Sequence, residues 1–124
     1  MSSQTILYVE DNELNRKLVR DLLRRTSYRL LEAVDGEARV QMALAERPGL
    51  IFMDVQLPKL SGFETTRRLR ADPATADTPI IAITSFALSG DDQRARDAGA
   101  SAYLPKPFSP FTLLGMIRKL LPEA

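Results

Sequence analysis

TILYVEDNELNRKLVRDLL, residues 5–23, passes from an apolar run through a knot of acids into a segment of helical period. Ile6, Leu7, Tyr8 and Val9 are apolar on successive residues, the pattern of a strand covered on both faces, as in a parallel sheet. Beyond Asn12, a good helix cap, Leu14, Leu18 and Leu22 form one apolar stripe, with Val19 and Leu23 beside them. A buried strand that runs into an amphipathic helix is the building unit of a wound α/β domain. The rest of the chain repeats it.

Thr5–Val9, Arg29–Ala33, Leu50–Met53, Ile80–Thr84 and Ala102–Leu104 read as strands. LIFM and IIAI share the uninterrupted apolar character of ILYV. Helices alternate with them. The first is capped near Asn12, and the second runs from Asp35 to Glu46 and ends at Pro48-Gly49. The third starts at Ser61 with capping-box spacing to Glu64 and reaches Ala71. The fourth runs from Ser89 to Ala98 and closes at Gly99. The last opens at Ser109-Pro110, turns Leu113, Leu114, Ile117 and Leu120 inward, and stops at Pro122. Five strand–helix units predict a doubly wound α/β fold with a five-stranded parallel sheet, five helices and right-handed crossovers. Residues 1–124 are expected to form a single domain with no output domain attached.

Composition removes several function classes. Seventeen basic and sixteen acidic side chains nearly cancel, so no net field draws in nucleic acid or an anionic membrane. With no cysteine there are no disulfides, thiolate metal sites or cysteine nucleophiles. With no histidine there is no imidazole metal site, no Ser-His-Asp triad and no phosphohistidine carried by this chain. MSSQTILYVE has neither a basic leader nor a long apolar run, so a cytoplasmic protein is expected.

The chemistry is expected at one edge. In an open parallel sheet, ligands bind outside the carboxyl ends of the strands. Those ends deliver Glu10 and Asp11, then Asp54, then Thr84 with Ser85, then Lys106. Two carboxylates about 4 Å apart repel by on the order of 4 kcal/mol at an effective dielectric near 20. Three oxygen ligands without His or Cys suit Mg²⁺. Lys106 can pair with a carboxylate in the empty site and with phosphoryl oxygen in the filled one. A cation, a lysine and a hydroxyl around Asp54 make a setting for phosphoryl transfer to it.

VEDN at 9–12, MDVQLPKLSG at 53–62, ITS at 83–85 and LPKPF at 104–108 resemble the receiver domains of two-component response regulators. VEDNELNRKL with MDVQLPKLSG is similar to single-domain regulators of the DivK type and to receivers of hybrid kinases. The resemblance implies a flavodoxin-like sheet of order 2-1-3-4-5. It implies a phosphoacceptor at Asp54, charged by the phosphohistidine of a histidine kinase or histidine phosphotransfer protein. Asp11 and Asp54 then coordinate Mg²⁺ (or Mn²⁺), Glu10 acts through water, and the backbone carbonyl of Gln56 completes the set. Thr84 is the switch hydroxyl, Tyr103 the switch aromatic, and Lys106 contacts the phosphoryl group before a cis Lys106–Pro107 bond. Gln56 and Phe86 sit where receivers tune phosphoryl lifetime, and a bulky Phe86 implies slow self-dephosphorylation. The expected output is contact with a downstream protein by a monomer or weak dimer, with no nucleic acid, no membrane and no turnover of a free substrate.

Other readings of the residues are weaker. A dinucleotide needs glycines in the first turn, where this chain has EDNELN. An aspartyl phosphatase needs an acid two residues after its nucleophile, where Gln56 stands. A phosphate-independent binding module, or a receiver cut from a hybrid kinase, remains as the alternative. Arg16, Lys17, Arg20, Arg24 and Arg25 are expected to line the solvent face of the first helix. There they could meet the phosphodonor, while Glu13 acts as a first-turn acid away from the metal.

Overall fold

The computed structural model describes residues 4–33, 41, 44–54, 62–84, 91–106 and 108–122. Among them, strands β1 (Thr5–Val9), β2 (Arg29–Ala33), β3 (Leu50–Asp54), β4 (Ile80–Thr84) and β5 (Ala102–Pro105) form one sheet. Its order is β2-β1-β3-β4-β5, and every adjacent pair is parallel. The expected strands therefore stand, with β3 and β5 each one residue longer at the carboxyl end. The described helices are α1 (Glu13–Leu23), α2 (Gly62–Ala71), α3 (Asp91–Ala98) and α4 (Pro110–Leu120). Of the helix expected from Asp35 to Glu46, Gln41 and Leu44 are helical, and the Ala45 amide donates to the Gln41 carbonyl at 3.1 Å. The remainder of that helix, and the expected caps at Ser61 and Ser89, lie outside the described residues.

Uninterrupted apolar strands need cover on both faces, and the helices supply it. Every residue of β1, β3 and β4 is buried, whereas the edge strands β2 and β5 are only partly so. On one face Ile6, Tyr8, Phe52, Ile81 and Ile83 pack with Val19 and Leu23 of α1 and Leu113 and Ile117 of α4. On the other, Leu7, Val9, Ile51 and Met53 meet Leu69 of α2. Beside them Phe63, Ala82, Ala95 and Ala98 join α2 to α3.

Helix α1 corrects the sequence reading. Asn12 does cap it, its side chain accepting from the Asn15 amide at 2.9 Å. Val19 and Leu23 are buried, but Leu14 and Leu18 are 65% and 57% exposed. At about 100° per residue, the nine residues from Leu14 to Leu23 turn the helix by about 180°, so the two lie on opposite sides of it. The leucines could not form one buried stripe. Arg16 occupies the inner face instead, 8% exposed, and donates to the Glu10 carbonyl at 3.0 Å. The expectation of a wholly solvated basic face is wrong at Arg16, whose apolar stem is buried while its head finds acceptors.

At the amino ends of β4 and β5 a second arginine acts structurally. Arg70 of α2 donates to the carbonyls of Gly99, Ala76 and Thr78 and to the Ser101 hydroxyl. Gly99 ends α3 with φ +110°, and a Cβ there would lie 2.5 Å from Arg70 Cγ. Glycine meets both demands at once.

Candidate functional site

The parallel ladder brings the reactive residues to adjacent strand ends. The Glu10 amide still pairs with Ala33 of β2 at 3.0 Å, so the residue leaves β1 with a fully buried side chain. Asp11 follows at the exposed start of the turn into α1. Asp54 ends β3 opposite Ile83, Thr84 ends β4 opposite Pro105, and the Lys106 amide donates to the Thr84 carbonyl at 2.6 Å. Asp54 is 4% exposed and Thr84 fully buried.

One carboxylate oxygen each from Glu10, Asp11 and Asp54 lies within 4.8 Å of the others. The Lys106 ammonium spans two of these acids, reaching Glu10 Oε1 at 2.7 Å and Asp54 Oδ2 at 2.9 Å. Burial pushes the Glu10 carboxyl above the usual carboxylate range, and Asp54 adds to the rise, while Lys106 opposes it without cancelling it. Burial works against the charge on Lys106, but its bonds to Glu10 and Asp54 outweigh that and raise its pKa. Two nearly dry acids therefore share one ammonium. This is the repulsion anticipated at the strand end, partly neutralised.

The donor set fits a hard divalent cation. Three carboxylates without nitrogen or sulfur suit Mg²⁺ or Mn²⁺, and the exposure of Asp11 leaves an approach from solvent. Glu13 is not part of the cluster; it pairs with Arg16 and Arg20, in keeping with a first-turn acid. Tyr103 is half-buried against the Phe63, Ala82, Ala95 and Ala98 cluster and lies opposite Ala82 in the ladder. Thr84, two residues beyond Ala82, leaves β4 on that same face. Gln56, Ser85, Phe86 and Pro107 lie outside the described residues.

Three neighbours of the acids escaped the sequence reading. Tyr8, fully buried in β1, donates from its hydroxyl to Glu10 Oε1 at 3.1 Å. Burial first, and then the Glu10 charge, raise the pKa of that phenol and keep it a donor. The Asn15 side chain donates from Nδ2 to the same oxygen at 3.2 Å, and Arg16 holds the Glu10 carbonyl. The strand period of two puts Tyr8 on the face of Glu10 and was the available signal for it. Nothing in the spacing alone marks Asn15.

The receiver-domain family model, described as the response regulator receiver domain, matches residues 6–118. The polar-differentiation response regulator DivK of Brucella anthropi is 40% identical over 121 residues, 98% of this chain and 98% of that protein. The receiver domain of sensor histidine kinase PA1611 from Pseudomonas aeruginosa, solved with a magnesium ion coordinated in its active-site cleft, is 38% identical. It superposes with a TM-score of 0.85 over 96% of this chain and 98% of that one. The Mn²⁺-bound form of response regulator Rcp1 is 25% identical with a TM-score of 0.75, over 94% of this chain and 90% of that one.

Proposed function

The chain belongs to the response regulator receiver family, and from that premise we propose that it accepts a phosphoryl group on Asp54 from the phosphohistidine of a histidine kinase or histidine phosphotransfer protein. The observation that carries this is the meeting of Glu10, Asp11 and Asp54 with the ammonium of Lys106 at the carboxyl ends of the strands. Glu10, Asp11 and Asp54, with the carbonyl of Gln56 that the resemblance adds, would hold a Mg²⁺ or Mn²⁺ ion, which would supply charge neutralisation for the transferring group. An oxygen of Asp54 forms the new bond to phosphorus as the bond to the donor's imidazole nitrogen breaks, and the electron pair returns to the ring. Lys106 moves from carboxylate to phosphoryl oxygen, and the Thr84 hydroxyl donates to another. Positioning and charge neutralisation are the chain's whole contribution.

Thr84 and Tyr103 share the α2–α3 side of the sheet, so a shift of Thr84 toward phosphate frees space there for Tyr103. A two-state equilibrium is thereby biased toward a partner-binding surface. Residues 1–124 act as one receiver domain in the cytoplasm. The signal leaves by contact with a downstream protein or by onward transfer, not by turnover of a free substrate. Leu14 and Leu18, exposed on the helix that starts beside the site, support docking of the donor there.

The test is incubation with Mg²⁺ and acetyl phosphate, wild type against Asp54→Asn, read by intact mass. Wild type gains one phosphoryl group and the variant none. A gain that persists in Asp54→Asn refutes the acceptor assignment. A wild type that is modified neither by acetyl phosphate nor by any histidine kinase points to a phosphate-independent module.

A further inference from the structure

Glu10 is bound asymmetrically. Its Oε1 receives three donors: Lys106 Nζ at 2.7 Å, the Tyr8 hydroxyl at 3.1 Å and Asn15 Nδ2 at 3.2 Å. Among the described residues, Oε2 has only the Asn12 amide, at 3.4 Å. One oxygen is saturated, and the other keeps a single long bond. Of the three donors, Lys106 also holds Asp54, at 2.9 Å. A lysine drawn toward a phosphoryl group on Asp54 leaves Oε1 to Tyr8 and Asn15.

Both remaining donors are built in. Tyr8 is fully buried, with its ring tilted over Phe52 at 5.2 Å between centroids, so its hydroxyl has little freedom to turn elsewhere. Asn15 stands in the first turn of α1, where its own amide donates to the Asn12 cap. Strand β1 and helix α1 thus grip the same oxygen from two sides.

We propose that Tyr8 and Asn15 are positioning residues that hold Glu10 by Oε1, presenting Oε2 to a divalent cation whether or not Lys106 is engaged. This rests on the metal-dependent reading above. Both side chains bond the Glu10 carboxylate, so each acts through Glu10. Residues that orient a metal ligand typically change metal affinity about 10–100-fold when lost.

Mn²⁺ titration by calorimetry tests this on wild type, Tyr8→Phe, Asn15→Ala and a packing control, Ile6→Val, with thermal melts of each metal-free protein. Tyr8→Phe keeps the ring on Phe52, and Asn15→Ala covers the case in which the core change prevents folding. Each is expected to bind Mn²⁺ about tenfold more weakly, while Ile6→Val binds as wild type does. Metal should also perturb the near-ultraviolet tyrosine band of wild type. That signal should vanish in Tyr8→Phe and survive in Tyr28→Phe, whose hydroxyl bonds the Leu121 carbonyl far from the acids. Wild-type affinity in both Tyr8→Phe and Asn15→Ala overturns the inference, as does an equal loss in Ile6→Val. A wild type that binds no Mn²⁺ overturns the metal reading along with it.

Discussion

Glu10 shows what the site costs the resting protein. A buried carboxyl beside Asp54 is held above its ordinary value of 4.5, even with Lys106 at 2.7 Å. The folded state therefore binds more protons than the unfolded chain between that value and the raised one, so stability from this group falls as pH rises through the interval. Lys106 behaves in the same sense at the other end of the scale. Its raised pKa contributes stability that is complete below its ordinary 10.5 and is lost as pH climbs through the folded value. A divalent cation reverses the sign at Glu10, because it binds the ionised form and competes with the proton. The stabilisation conferred by Mg²⁺ should thus be small at pH 4 to 5 and grow steadily above it. Melting temperatures with and without Mg²⁺ at each pH measure it, and taking the difference removes the titration of all distant groups. An increment that does not change with pH would show that Glu10 keeps its charge throughout.

At the scale of elements, α1 separates what hydrophobic periodicity can tell from what it cannot. The helix itself, its Asn12 cap and its inward Val19 and Leu23 were all legible. Its orientation was not, because five apolar residues spread over about 180° of the helix and any choice of face leaves some outside. Tertiary partners decide. The Arg16 guanidinium finds the Glu10 carbonyl and Glu32 of β2, and Arg20 binds both oxygens of Glu32 at 2.8 and 3.0 Å. These anchors turn Leu14 and Leu18 to solvent. The two leucine positions should then differ sharply in urea unfolding. Leu23→Ala, which opens a hole beneath the sheet, should cost about 2–5 kcal/mol. Leu18→Ala should stay within about 0.5 kcal/mol of wild type. Equal losses would restore the single leucine stripe.

Over the whole molecule, the two edges of the sheet have different work. The carboxyl edge gathers unlike residues from four strands, and each was legible because the wound topology leaves those ends open to ligands. Glu10, Asp11, Asp54 and Lys106 meet as expected, with Thr84 at the adjoining strand end, since an end-of-strand position needs only the strand to be read correctly. Asn15 and Arg16 were missed because their roles depend on side-chain reach from α1 to the end of β1, which spacing does not encode, whereas Tyr8 shares the face of Glu10 and the strand period could have found it. The amino edge hid more. Nothing in the spacing marks Arg70 of α2, yet its guanidinium gathers the carbonyls of Ala76, Thr78 and Gly99 and the Ser101 hydroxyl. It thereby ties α2 to the segments that start β4 and β5, about 17 Å of strand away from the acids. Burial lowers its pKa without threatening its charge, since arginine stays protonated far above neutral pH. Removing it leaves several part-buried carbonyls without their donor, at about 0.5–1.5 kcal/mol for each bond lost. Arg70→Met should therefore lower the melting temperature clearly, while leaving Mn²⁺ affinity and the rate of labelling by acetyl phosphate close to wild type. A variant that melts normally would make Arg70 a surface residue after all. One that melts low and also loses metal affinity would mean that the two edges are coupled through the strands, since Arg70 itself touches none of the acids.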